Sequence, residues 1–212
     1  MPDFFDNITD WLLSQALGDD DISVTLGGLA KRLQDGGIPI ARISMGRSVL
    51  HPVIALIDLE WNSDTGHVQL QTVPRKSLTL EFLEGTPFGD MAFDGIDRIV
   101  ADLKDPVDVN RYDMFQKFAN DGLTGYVAFV RQFGREQAVF SELSENIRGA
   151  NVSFATRRFS GFSQSDIDGL ARLVSALAFA FVSTMTDFSP KECWKHISAV
   201  SLANRCWAEK LG

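Results

Sequence analysis

The stretch SFATRRFSGFSQSDIDGLARLVSALAFAF, Ser153 to Phe181, constrains the fold more than any other part of the chain. It starts as a strand pattern, turns through a basic, glycine-punctuated joint and becomes a long helix. Ser163 suits an N-cap, Asp166 stands three residues on, and Phe162 and Ile167 flank the pair as a hydrophobic staple does. Ile167, Leu170, Ala171, Val174, Leu177, Ala178, Phe181, Val182 and Met185 then share one face at helical spacing. A helix with so broad an apolar stripe must be laid on another layer, and the strand before it supplies a sheet. Its small residues Ala171, Ala178 and Ser175 suit close packing against a neighbouring helix or a second copy.

The rest of the chain supplies the other strands and helices. Asp3 to Leu17 reads as a helix with Phe4, Ile8, Trp11, Leu12 and Gln15 on one face. A second helix runs from about Ile22 to Gln34, with Val24, Leu26, Leu29 and Leu33 apolar, and Gly36 and Gly37 end it. The period then shifts towards two: IPIARISMGR, HPVIALIDLEW and HVQLQTV read as strands. EGTPFGDM is expected to be a loop with a short helix, DRIVADL a short strand, and RYDMFQKFANDGL a helix stopped at Gly122. TGYVAFVRQF and ANVSFATRRF are rich in aromatic and β-branched residues and are the best strands. The polar stretch between them, residues 134–149, is too long for a tight hairpin and predicts a protruding or partly helical insert. A last helix is expected from Ser189–Pro190 onward, carrying Trp194, Ile197, Val200 and Trp207. Helices, a run of strands, then helices predict an α+β protein: a central antiparallel sheet with flanking N- and C-terminal helices.

Charge and chemistry exclude several functions. A net charge of −8 argues against a nucleic-acid surface, which needs clustered Lys and Arg, and Arg157–Arg158 alone do not reverse it. The longest apolar run, LVSALAFAFV, is half of the ~20 residues that a bilayer span takes, so no membrane association is expected. The first residues, MPDFFDNITD, are acidic where a signal peptide is basic, and two cysteines make no disulfide framework. The expectation is a soluble cytoplasmic protein. Cys193 and His196 have the spacing of two metal ligands, but a structural zinc takes four and only Cys206 lies near, so no metal is expected. No nucleophile elbow, phosphate loop or zinc-protease helix is present, and the glycines at Gly27 and Gly28 follow no strand. The residues predict no catalysis.

They do suit a small-molecule pocket, which is an apolar cavity with a few polar anchors. Arg42, Ser44, His51, Thr86, Tyr126 and Ser153 are polar groups set among apolar residues, and Phe88, Phe129 and Phe154 are aromatic walls for the same cavity. The alternative is a solid core whose polar neighbours face solvent on the open side of the sheet.

Four segments, GGIPIARISMGRSVLHPVI, TPFGDM, DGLTGYVAFV and SFATRRFSGFSQSDIDGLARLVSALA, resemble the N-terminal regulatory region of a group of bacterial class III adenylate cyclases. The order and spacing match over about Gly36 to Ala180. The resemblance implies a GAF-like sensory domain at 36–188, N-terminal helices at 1–35 and a C-terminal helix at 189–212. It implies signal transduction through terminal helices, a small ligand of unknown identity, a homodimer through Asp3–Leu17 and Pro190–Leu211, and a cyclase catalytic domain as partner in cis or in trans. The chain departs from the family at TRRFSGFS, where relatives read TDRPGGFS, and at Gly125, where they carry an aspartate before the tyrosine. It has no metal-binding aspartates in an SDLRGFT-like context, so cyclase activity does not carry over. Two other functions fit the same fold. One is a scaffold with a filled cavity. The other is a thiol-dependent reductase, which would use Cys193 and Cys206, although both are expected on the terminal helix away from the cavity.

Overall fold

A computed structural model describes residues 3–18, 21–49, 52–132 and 149–184. The chain opens with α1 (Phe4–Ala16) and α2 (Ile22–Asp35). Asp3 and Asp6 form a reciprocal capping box at the start of α1, and the Asp21 carboxylate accepts from the Ser23 amide at the start of α2. Gly37, at φ 85°, turns the chain out of α2 in the conformation that glycine tolerates best. Three strands follow, β1 (Ile40–Ser48), β2 (Ile54–Asn62) and β3 (Val68–Pro74), then a 3-10 turn at Arg75–Ser77. Next come α3 (Leu80–Leu83), α4 (Pro87–Asp94), β4 (Arg98–Asp102), α5 (Pro106–Val109) and α6 (Asp113–Asn120). The last elements are β5 (Gly125–Arg131), β6 (Ala150–Thr156) and α7 (Gln164–Thr184).

The strands make one six-stranded antiparallel sheet in the order β3-β2-β1-β6-β5-β4. α2 and α7 pack on one face, and α1 lies against both helices. Ile43, Met45, Ile57, Leu59, Val127, Phe129, Val152 and Phe154 join the main core on that side. The register of β1 against β6 slips between Ile40 and Arg42. Ile40 and Ile43 therefore both enter the helix-side core, while Ala41 and Arg42 both turn to the other face.

The joint between β6 and α7 is capped as its sequence predicts. The Ser163 amide donates to the Asp166 carboxylate at 2.8 Å, and the Asp166 amide donates to the Ser163 hydroxyl at 3.2 Å. Phe162 packs on the core next to buried Ile167, completing the staple. Both arginines of the joint are engaged internally. Arg157 makes a two-pronged pair with Asp64 at 2.6 and 2.7 Å, tying the joint to the β2–β3 turn. Arg158 pairs with Asp166 and donates to the Gly161 carbonyl at 2.8 Å. Gly125, where the resembled family carries aspartate, lets the two segments meet: a Cβ there would lie 3.0 Å from Gly161 Cα.

α7 is buried more widely than its sequence stripe suggests, with Leu173, Ala176 and Ala180 also inside, because it is held between the sheet and α1. Gly169 permits that contact, since a Cβ there would run into the Phe5 ring. Phe5 rather than Phe4 therefore faces the core, and Val24 of α2 is exposed. Arg172 of α7 bonds Asp3 at 2.7 and 3.1 Å and also Asp6, fastening the two helices at their surface. Among the described residues no helix is long and apolar enough to cross a membrane. His51, most of the 134–149 stretch, Met185 and the helix expected from Ser189–Pro190 lie outside the described residues.

Candidate functional site

On the face of the sheet away from α1, α2 and α7, the strand registers assemble a polar floor. Ser44 of β1 stands opposite Glu60 of β2 on one side and Ser153 of β6 on the other. One row along, Gly46 stands opposite Asp58 and Asn151, while Asp58 in turn pairs with Gln71. Adjacent strands lie ~4.8 Å apart, so these rows bring side chains from four strands into one patch. Over part of this floor a pocket of about 320 Å³ is roofed by Phe82, Leu83, Phe88 and Met114. These come from α3, α4 and α6, so the roof is apolar, while the floor sets polar groups among Leu56, Val73 and Val130, which is the composition of a small-molecule site.

The roof is held by local chemistry. Thr86 caps α4: its hydroxyl accepts from the Gly89 amide at 3.0 Å and donates to the Leu83 carbonyl at 2.7 Å. Gly89 lies so close to α3 that a Cβ would overlap the Leu83 carbonyl oxygen. Tyr112, at the start of α6, donates to the Asp90 carboxylate of α4 at 2.5 Å and so joins two roof helices. Burial and that acceptor push the Tyr112 phenol up to about 12.

Arg42 is the largest charged group of the floor and is 8% exposed. It donates to the Glu60 carboxylate at 2.7 Å and to the Ser153 hydroxyl at 3.2 Å, and its guanidinium lies 4.8 Å from the Phe118 ring centroid. A second hollow of about 320 Å³ begins on its far side, where Asn62, Asp121 and the Arg157–Asp64 pair face Glu60. Asp58 accepts one hydrogen bond, from the Ser44 hydroxyl at 2.9 Å. Burial raises its carboxyl to about 6 against the opposing pull of Arg42 and Ser44, with Glu60 adding to the rise. Some of its surface stays accessible because it opens into the pocket, although it lies deep beneath the outer surface.

Among the described residues three buried polar atoms on this face make no hydrogen bond: Arg42 Nε, Asn151 Oδ1 and Tyr126 Oη. Tyr126 is wholly buried and packed on Phe115 and Phe118, with ring centroids 4.8 and 5.9 Å away. Its hydroxyl lies near Ser153 without a normal bond to it, and burial pushes the phenol up to about 12.

The structure gathers some of the residues expected from the sequence and separates others. Arg42, Ser44, Thr86 and Phe88 line the pocket. Ser153 lies behind Arg42 and is sealed, and Tyr126 is in the small core beside the pocket. Thr86 takes part through its position, since its hydroxyl is committed to the cap. Phe129 and Phe154 are not cavity walls: both point to the opposite face, where their rings meet at 6.5 Å in the helix-side core. Asp58, Gln71, Asn151, Phe82 and Met114 were not anticipated. A signal for the first existed in IDLEW, where Asp58 and Glu60 alternate with Ile57, Leu59 and Trp61 and so face away from the apolar side. Cys193, Cys206 and His196 fall outside the described residues.

No family model matches this sequence, and no curated protein matches it either. Solved structures do share its architecture. The phycocyanobilin-bound GAF domain from a cyanobacterial phytochrome superposes with a TM-score of 0.53 at 10% identity, covering 85% of this chain and 95% of that one. The phycoerythrobilin-bound GAF domain from a cyanobacterial phytochrome gives 0.52 at 10% identity, with the same coverage. The chain has the GAF fold: a six-stranded antiparallel sheet with helices against it. At this identity the likeness speaks for the fold alone.

Proposed function

We propose that this protein is a non-catalytic sensory module that binds a small molecule on the free face of its sheet. The observation that carries the reading is a pocket whose lining includes two residues with unpartnered buried polar atoms among the described residues, Arg42 Nε and Asn151 Oδ1. An unsatisfied buried polar group costs about 1–3 kcal/mol, and two in residues of one pocket's lining support a binding role for it. The signal would leave through α7, whose first turn is locked to β6 and whose flank is fastened to α1. A stiff helix passes on displacement that a loose linker would absorb.

The resemblance of the stretch from Gly36 to Ala180 to adenylate cyclase regulatory regions supports a role in governing a cyclase catalytic domain, in cis or in trans. A homodimer through the terminal helices would couple two such modules. Native mass spectrometry of freshly purified protein tests the ligand: a retained small molecule, or a thermal shift with a metabolite, is expected. A clean apo mass with no shift across a broad panel would refute sensing and leave a scaffold. Light scattering tests the dimer, and a strict monomer at all concentrations would remove it.

A further inference from the structure

The ligand's chemical class can be read from which groups at the pocket already have partners. Gly46 lies between Asp58 and Asn151 in one register row. Having no side chain, it leaves a gap that the Asn151 amide fills: a Cβ on Gly46 would collide with Asn151 Oδ1. A carboxylate and an amide oxygen, both hydrogen-bond acceptors, thus flank Gly46, the carboxylate partly open to the pocket and the amide oxygen buried. Among the described residues Asp58 has no ion pair and only the Ser44 hydroxyl as donor, and Asn151 Oδ1 has none. The cations at the pocket are already engaged. Arg42 is paired with Glu60, and Arg47 Nε donates to the Ser48 carbonyl. An anionic ligand would face the Asp58 carboxylate here, whereas a cation carrying N–H donors would pair with it. Above the gap, Phe82, Phe88 and Met114 offer apolar and aromatic surface, which suits the body of such a molecule and favours its charge.

We infer that the pocket takes an organic cation: a compact ammonium or amidinium group paired with Asp58, with its apolar body under the roof. This rests on the reading that the pocket binds a ligand, and it adds the ligand's charge and the residues that recognise it.

The test is calorimetric titration of the full chain with four probes of similar size: benzylamine, benzamidine, benzyl alcohol and benzoate. Benzylamine or benzamidine is expected to bind at least about ten-fold more tightly than the alcohol or the acid, the difference one charge-assisted bond makes. Asp58→Asn, which keeps the shape and fills no space, should cut cation binding about ten-fold or more without weakening the fold. Equal or tighter binding of benzoate or benzyl alcohol, no binding of either cation, or unchanged cation affinity in Asp58→Asn would each overturn the inference. If a retained or metabolite ligand then proves neutral or anionic, the sensing reading stands and only the cation assignment falls. If no ligand of any charge is found, the sensing reading falls with it.

Discussion

Replacing Asp58 by asparagine should make the protein more stable, and the size of the gain follows from where the carboxylate sits. Its pKa rises from 3.8 to about 6 because burial strips water from the charge faster than Arg42 and Ser44 replace it. A shift of that size corresponds to about 3 kcal/mol between the two protonation states. Water reaching Asp58 through the pocket lowers the net cost, so about 1.5–3 kcal/mol is expected at pH 7. In a protein of this length that is a rise in Tm of roughly 3–12 °C. The sign has a pH signature. Between about pH 4 and 6 the folded state holds a proton that the unfolded chain has released, so wild-type stability falls as pH rises through that window. The amide of the Asp58→Asn variant would carry no such proton, so its advantage should vanish near pH 4 and reach its full value above about pH 6.5. Urea unfolding of both proteins at several pH values measures this directly. A variant no more stable at pH 7, or a difference independent of pH, would refute the claim that a poorly solvated charge lies at the pocket floor. A carboxylate kept at that cost is what a binding group looks like.

Three further perturbations separate the site from its support. Gly89→Ala should place a Cβ against the Leu83 carbonyl, cost about 1–3 kcal/mol in urea unfolding and loosen ligand retention by moving the roof. Phe154→Ala should cost about 3–5 kcal/mol while leaving the affinity of the folded fraction unchanged, because the ring faces the helix-side core. A loss of binding without loss of stability would return Phe154 to the site. Asp166→Ala should remove the α7 capping box at a cost of about 1 kcal/mol at pH 7. Burial alone would raise the Asp166 carboxyl, but Ser163 and Arg158 hold it below 3.8, so the contribution should persist to that pH and be lost in stronger acid.

Much of the fold is written locally. The 3.6-residue period marks α1, α2 and α7, alternation marks the strands, and Ser163 with Asp166 announces the start of α7. These signals lie within a few residues of one another, so no tertiary information is needed to read them. The site is different. Alternation divides a strand into two faces but does not say which face the helices will cover, and so Phe129 and Phe154, the most apolar choices for a cavity wall, went instead to the core. The slip between Ile40 and Arg42 reverses the alternation of β1, and no spacing rule in the sequence announces it. The row of Gln71, Asp58, Gly46 and Asn151 comes from four strands and exists only once their registers are set. The sequence by itself determined which segments are helix and which are strand, because those preferences are short-range. Only the tertiary structure decided which polar groups share a pocket and which of them lack partners, because hydrogen-bond satisfaction depends on neighbours that the chain brings from up to about a hundred residues away.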